Sequence, residues 1–173
     1  LKQGDSFVIN GTKTFITNGS LADFFVVLCQ TDPNAKPPYR GQCTILVEKG
    51  SKGLDATEIM PKMGIRMTST AELSLSEVRV PLTNLLGDEG KGFYQVLEFF
   101  DESRIEIAAQ ALGIAQGAFD RALDYAKQRE QFGKKLADFQ ITQHKLADMA
   151  TKIETARLLT YKAAWNYDQK RID

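Results

Sequence analysis

The chain has 173 residues, 43% of them apolar and 25% charged, enough apolar material to bury a core in one large or two small domains. Lysine plus arginine equals aspartate plus glutamate, at 22 each, so nothing in the composition marks a nucleic-acid or anionic-membrane surface. No apolar run reaches the ~20 residues of a membrane span, and Cys29 and Cys43 lack metal-ligand spacing and read as buried free thiols in a reduced compartment.

Residues 1–83 are strand-like. The runs 7–9 and 12–16 flank Asn10-Gly11, which predicts a two-residue hairpin turn, since Asn-Gly tolerates the positive φ of a type I′ turn. A second Asn-Gly, Asn18-Gly19, follows Phe15-Ile16-Thr17. Further strands are expected at 24–29, 43–48, 54–60, 71–75 and 78–80, with a proline-rich loop at 32–41 and turns between. This spacing predicts an antiparallel β-barrel or sandwich. The segment 87–92, GDEGKG, reads as a connector.

From 91 to 129 the chain is free of proline and dominated by good helix formers, which predicts one helix of roughly 55–60 Å. Ala108, Ala109, Ala111, Gly113, Ala115, Gly117 and Ala118 form a small-residue stretch that invites a close neighbour. Gly133 breaks the pattern, and Asp138 is the expected N-cap of a second helix running to about 169, with Leu146, Met149, Ile153, Ala156 and Leu159 as its apolar stripe. Two helices joined by a short link pack antiparallel and leave a four-helix bundle incomplete. The expected architecture is therefore α+β: a β-domain over 1–86, then 87–173 as the first part of a helical bundle. The chain reads as a piece of something larger.

Dinucleotide, P-loop and nucleophile-elbow signatures are absent, and the single histidine, His144, has no acid or cysteine marking a site around it. Three constellations remain. Phe15 and Thr17 fall on one side of a strand, beside Ile16, where an aromatic face and a hydroxyl suit a flat ring system; an ordinary strand end is the alternative. Asp101, Ser103 and Arg104 lie near the start of the long helix, where Asp101 and Arg104 either pair on one face or line a cleft. Arg129 ends one helix and Gln140 starts the next; a guanidinium there suits a phosphate or a helix C-terminus.

In this order the constellations resemble the acyl-CoA dehydrogenase family, and the resemblance covers essentially the whole chain. NGTKTFITNGSLADFFVV is similar to the family's middle-domain flavin strand. MGIRMTSTAEL and SEVRVPLTNLLGDEGKGF are similar to the end of that domain, and SRIEIAAQALGIAQGAFDRALDYAKQREQFGKKLADFQ to the first helices of the C-terminal bundle. The match is closest in character to short-chain, butyryl-type members. The resemblance implies an FAD-dependent α,β-desaturation of an acyl-CoA thioester. Phe15, where many members have tryptophan, would lie against the flavin, with Ile16 beside it and Thr17 bonding near its reactive nitrogen. Asp101 and Arg104 would line the acyl-CoA cleft. Arg129, Gln131, Phe139 and Gln140 would contact the FAD of a neighbouring subunit, which implies a homodimer or homotetramer.

Some members place the catalytic glutamate at the position of Ser103; a serine has no carboxylate to take a proton, so the base is expected outside this chain. The resemblance further implies an electron-transfer flavoprotein as partner, no metal, no nucleic acid, no membrane span, and a cytoplasmic (bacterial or archaeal) or mitochondrial-matrix location. The rival reading is a non-catalytic flavin-binding or assembly module of the same fold.

Overall fold

The computed structural model describes residues 2–171. The chain divides into two compact units, Leu1–Leu97 and Glu98–Asp173. The first holds β1 (Lys2–Gln3), β2 (Ser6–Thr17), β3 (Phe24–Gln30), β4 (Gln42–Glu48), β5 (Leu54–Glu58), β6 (Thr70–Pro81) and β7 (Leu85–Leu86). Among the described residues these form two open sheets, ordered β1-β2-β6-β5 and β3-β4-β7, with every pairing antiparallel. They build a sandwich and close no barrel. Its core is Phe7, Ile9, Phe25, Val27, Cys43, Ile45, Val47, Leu73, Leu75, Val78 and Val80.

Strand alternation places these side chains inward, and two bulges change its phase. On β6 the buried positions are Ala71, Leu73 and Leu75, then Val78 and Val80. The extra residue lies at Ser76-Glu77, opposite Asn10, where the register passes from Ile9↔Val78 to Gly11↔Leu75. Asn10-Gly11 is therefore not a hairpin turn, contrary to the sequence-based expectation. The chain runs straight through it as β2, whose partner is β6 and not the next segment. Asn10 instead pins the bulge: its Oδ1 accepts the Glu77 N–H at 2.8 Å and its Nδ2 donates to Glu77 Oε1 at 2.7 Å. Glu77 has φ +52 and Gly11 φ +146.

Cys29 and Cys43 face each other in register on β3 and β4, and both are free. Burial pushes the Cys29 thiol pKa up, and the charge of Lys13 opposes that.

Helix α1 (Gly92–Gln128) begins in the first unit and continues in the second. Gly92 lies directly on β4: a Cβ there would stand 2.6 Å from the carbonyl carbon of Cys43 and 2.8 Å from the Thr44 nitrogen. Gln95 fixes the same turn, accepting from Thr44 Oγ1 at 2.5 Å and donating to the Leu86 carbonyl at 2.9 Å. Tyr39 stacks on Phe93 with ring centroids 4.8 Å apart. Because backbone cannot yield as a flexible side-chain end can, Gly92→Ala should destabilise the β unit by about 1–3 kcal/mol. Thermal unfolding followed in the far ultraviolet measures this; an unchanged midpoint would show that the helix start shifts freely.

In the second unit α1 is followed by β8 (Glu130–Gln131), β9 (Lys134–Lys135), a single 3-10 turn at Leu136–Asp138, and α2 (Gln140–Asp168). A two-residue hairpin turn does occur here, at Phe132-Gly133, with φ +55 and +78, as a type I′ turn requires. Asp138 is not the N-cap of α2. Its Oδ2 accepts the Lys135 N–H at 3.2 Å and closes the 3-10 turn, while the Phe139 carbonyl accepts from Thr142 at 2.9 Å and Gln143 at 3.0 Å to start the helix.

The helices run antiparallel. Arg157 Nη2 donates to Gln116 Oε1 at 2.6 Å, and further along Tyr167 neighbours Glu102, which raises its pKa. Between them are apolar grooves of about 490 and 430 Å³, lined by residues such as Ala111, Ala115, Phe119, Ile153 and Leu159. Ile107, Ile114, Leu158, Tyr161 and Trp165 are exposed, so two helices leave much of their apolar surface unburied. Apart from its own stretch of helix, no described atom lies within 4 Å of where a Gly113 Cβ would stand, so the small-residue stretch has open space there.

Candidate functional site

Three groups of side chains carry candidate chemistry, one in the β unit and two in the helical unit. In the β unit the second bulge places Thr14 and Phe15 opposite Glu72, between Lys13↔Leu73 and Ile16↔Ala71. Phe15 takes φ +60, a conformation unfavourable for a bulky side chain, and is 75% exposed. Ile16 turns inward against the core. Thr17 is exposed, and among the described residues its hydroxyl has no hydrogen-bond partner. Beyond it the chain is locked in place. Asn18, at φ +59, donates its N–H to the Ser69 carbonyl at 3.0 Å, and Ser20 Oγ lies 2.5 Å from Ser69 Oγ. Gly19 is buried, and a Cβ on it would meet the Ala71 Cβ at 2.8 Å. A strained, outward aromatic ring and a free hydroxyl two residues on are thus held by a rigid turn. That arrangement fits one face of a flat, polar-edged ring system.

The loop before β6 borders this turn in sequence and register. Met63, Ile65 and Met67 are fully or largely exposed on it. Lys62 folds back, donating to the carbonyls of Thr68 and of Ile65, the latter at 2.9 Å. The sequence reading did not single out Lys62.

In the helical unit Asp101 and Arg104 are exposed and do not pair with each other; among the described residues neither takes part in an ion pair. Ser103 is half-buried, its Oγ donating to the Phe100 carbonyl at 3.1 Å. Glu102 neighbours Tyr167, whose pKa it raises. Arg129 follows α1, exposed, with its backbone tied to Tyr125 and Leu136 and no side-chain partner among the described residues. Gln131 donates to the Glu130 carbonyl at 2.8 Å, and Gln140 is exposed at the start of α2.

Two features here escaped the sequence reading. Phe132, at the hairpin tip, is 93% exposed, and its signal was the Phe-Gly pair between two short charged runs. Lys134, which the sequence reading did not single out, sits 4.2 Å over the Phe139 ring. Arg104 and Arg129 are separated by roughly 35–40 Å along α1. The two helical clusters therefore cannot serve the same small group.

The family model for the acyl-CoA dehydrogenase middle domain matches residues 1–78, and that for the acyl-CoA dehydrogenase C-terminal domain matches residues 90–173. The chain belongs to the acyl-CoA dehydrogenase family. A short-chain-specific acyl-CoA dehydrogenase of Clostridium acetobutylicum is 48% identical over 163 residues, which are 94% of this chain and 42% of that protein. The solved acyl-CoA dehydrogenase of Geobacillus kaustophilus superposes with a TM-score of 0.95 at 41% identity, covering 99% of this chain and 45% of that one. A structure described as an electron transferring flavoprotein of Acidaminococcus fermentans gives 0.93 at 46% identity, covering 99% and 44%. The chain spans less than half the length of these relatives.

Acyl-CoA dehydrogenases are flavin-dependent oxidoreductases, and the Phe15–Thr17 face has the shape and donor that such a group needs. Among the described residues no cluster of His, Cys, Asp or Glu suits a metal, and no helix is long and apolar enough to cross a membrane.

Proposed function

We propose that this chain is the central part of an FAD-dependent acyl-CoA dehydrogenase, residues 1–86 forming its middle β-domain and 87–173 opening its helical bundle. The observation that carries the reading is Phe15, an aromatic side chain held outward at φ +60 beside the free Thr17 hydroxyl. Strain of about 1–3 kcal/mol is held there by the surrounding bulge and turn, as happens at ligand-clamping sites.

The chemistry FAD supplies when bound is acceptance of a hydride from the acyl β-carbon, as a carboxylate removes the α-proton and the carbon–carbon double bond forms. Phe15 holds one face of the ring and excludes water from it, while Ile16, whose side chain packs inward, anchors the strand beneath. Thr17 donates its hydroxyl to the ring edge. Asp101 and Arg104 orient the acyl-CoA. Arg129, Gln131 and Gln140, with Phe139, hold the cofactor of a second subunit, which the distance along α1 separates from the Arg104 cluster. The protein is accordingly a homodimer or homotetramer with a short-chain acyl-CoA as substrate. An electron-transfer flavoprotein serves as acceptor, supported by the Acidaminococcus fermentans likeness. The location is the bacterial or archaeal cytoplasm or the mitochondrial matrix.

The full-length protein should purify with visible flavin absorbance, as a particle holding at least two chains by light scattering. Phe15→Ala and Thr17→Val should each shift the flavin spectrum. A colourless protein that takes up no FAD would end the reading; a flavoprotein whose spectrum ignores both substitutions would remove the Phe15–Thr17 assignment.

A further inference from the structure

Lys62 lies on the loop preceding β6, and its ammonium is held entirely by neutral oxygens. It donates to the carbonyls of Thr68 and of Ile65, the latter at 2.9 Å, and reaches Thr70 Oγ1 at 3.5 Å. None of the ion pairs among the described residues includes it. Three N–H donors are thus matched by three acceptors, and the positive charge is left uncompensated. Its side chain is half-buried, so water and salt screen that charge less than they screen a surface lysine.

The place of this charge follows from register. Thr70 is the direct cross-strand partner of Thr17. Directly opposed residues put their side chains on the same face of a sheet, with Cβ atoms about 4.5–5.5 Å apart. The neighbouring pair, Ile16 and Ala71, turns to the core, so Thr17 and Thr70 share the outward face. The Lys62 ammonium therefore stands on the same face as the Thr17 hydroxyl, within roughly 10 Å of it. Phe15 and Thr17 form the platform, and Lys62 is the cation held at its edge by the adjoining loop.

We propose that Lys62 is a positioning residue that, given the flavin reading of Phe15 and Thr17, sets how readily the bound flavin is reduced. Hydride uptake from the acyl β-carbon adds negative charge to the ring, and the substrate's α-proton leaves to a carboxylate. A fixed, unpaired positive charge beside the ring stabilises the reduced form and leaves the neutral oxidised form nearly untouched. At an effective dielectric constant of about 20, a unit charge at such a distance moves the equilibrium by about tenfold. For a two-electron couple that is about 30 mV. The same ammonium also ties the loop, so a purely structural role has to be separated from an electrostatic one.

In the full-length flavoprotein, Lys62→Gln removes the charge and keeps a donor, Lys62→Arg keeps the charge, and Thr70→Val removes one acceptor and keeps the charge. Potentiometric titration should show Lys62→Gln about 30 mV more negative than wild type, with the other two close to it. If Lys62→Gln binds FAD weakly, the ratio of dissociation constants for oxidised and dithionite-reduced FAD reads the same quantity and should change about tenfold against the reduced form. An unchanged potential and ratio in Lys62→Gln would overturn the proposal while leaving the flavin site intact. Equal losses in Lys62→Gln and Lys62→Arg would also overturn it, by showing that loop geometry and not charge is responsible. A full-length protein that takes up no FAD in either oxidation state would overturn the flavin reading itself, and this inference with it.

Discussion

The 173-residue chain, supplied with FAD, will leave its flavin unbleached by butyryl-CoA under anaerobic conditions. Desaturation needs a carboxylate within about 3 Å of the α-proton's carbon or one water away, and a positioned general base is worth about 10²–10⁴ in rate. The carboxylates near the acyl-CoA end of α1 are few. The family resemblance would set the glutamate of some members at Ser103, but here the hydroxyl is donated to the Phe100 carbonyl at 3.1 Å and takes no proton from carbon. Glu102 is one residue back, about 100° around the helix. It neighbours Tyr167 of α2, whose pKa it raises. Asp101 is exposed and assigned to coenzyme A.

The stronger form is a rescue. In a full-length protein whose own base has been replaced by glutamine, Ser103→Glu should recover about 10–100-fold of the lost α-proton abstraction. A glutamate at this half-buried position sets its Cγ where the serine hydroxyl now is and carries its carboxylate beyond it. Bleaching of the isolated chain would contradict the placement. So would loss of activity in Glu102→Gln together with no recovery in Ser103→Glu.

Local pattern made much of this fold legible in advance, and what it missed has a common physical origin. The 37 residues of α1 were visible because propensity and periodicity are local properties. The strands β3, β4 and β6 were visible for the same reason, although the apolar run of β3 reads as buried throughout and the structure exposes its Phe24 and Val26. The Asn10-Gly11 error was not local. The dipeptide permits a tight turn, but the residue that uses its side chain is Glu77, on a strand that pairs with β2 from far along the chain. Likewise Asp138 is an N-cap residue by type, yet the 3-10 turn at Leu136–Asp138 took its carboxylate first. Both misjudgements concern where a polar side chain finds its partner.

At the candidate site, the Phe15–Thr17 motif was legible from residue type and alternation. The bulge that throws Phe15 outward was not, since it depends on two residues of β2 facing one of β6. Lys62 was invisible for a similar reason: its acceptors are backbone carbonyls of Ile65 and Thr68, which carry no sequence signal.

Arg129→Ala should weaken FAD retention in the full-length protein by about tenfold to a hundredfold. Arg129 stands just past the C-terminus of α1, exposed, with its guanidinium unpaired among the described residues. The alternative role, a cation stabilising the helix C-terminus, is worth about 0.3–1 kcal/mol and would appear as lost stability without lost cofactor. A charged, bidentate contact to phosphate is worth about 1.5–3 kcal/mol, which gives the stated range in dissociation constant.

The comparison variant matters. Lys134 is unsuitable, because its ammonium lies 4.2 Å over the Phe139 ring and its removal would disturb the hairpin. Lys145, exposed on α2 with no partner among the described residues, is the appropriate control. Flavin content after exhaustive dialysis should fall in Arg129→Ala and hold in Lys145→Ala, while the two melt within a few degrees of each other when saturated with FAD. Arg129→Lys should recover only part of the loss, since a point charge replaces a planar fork. Equal flavin content in Arg129→Ala and Lys145→Ala would return Arg129 to the role of a helix-end cation and leave the hairpin with no part in cofactor binding.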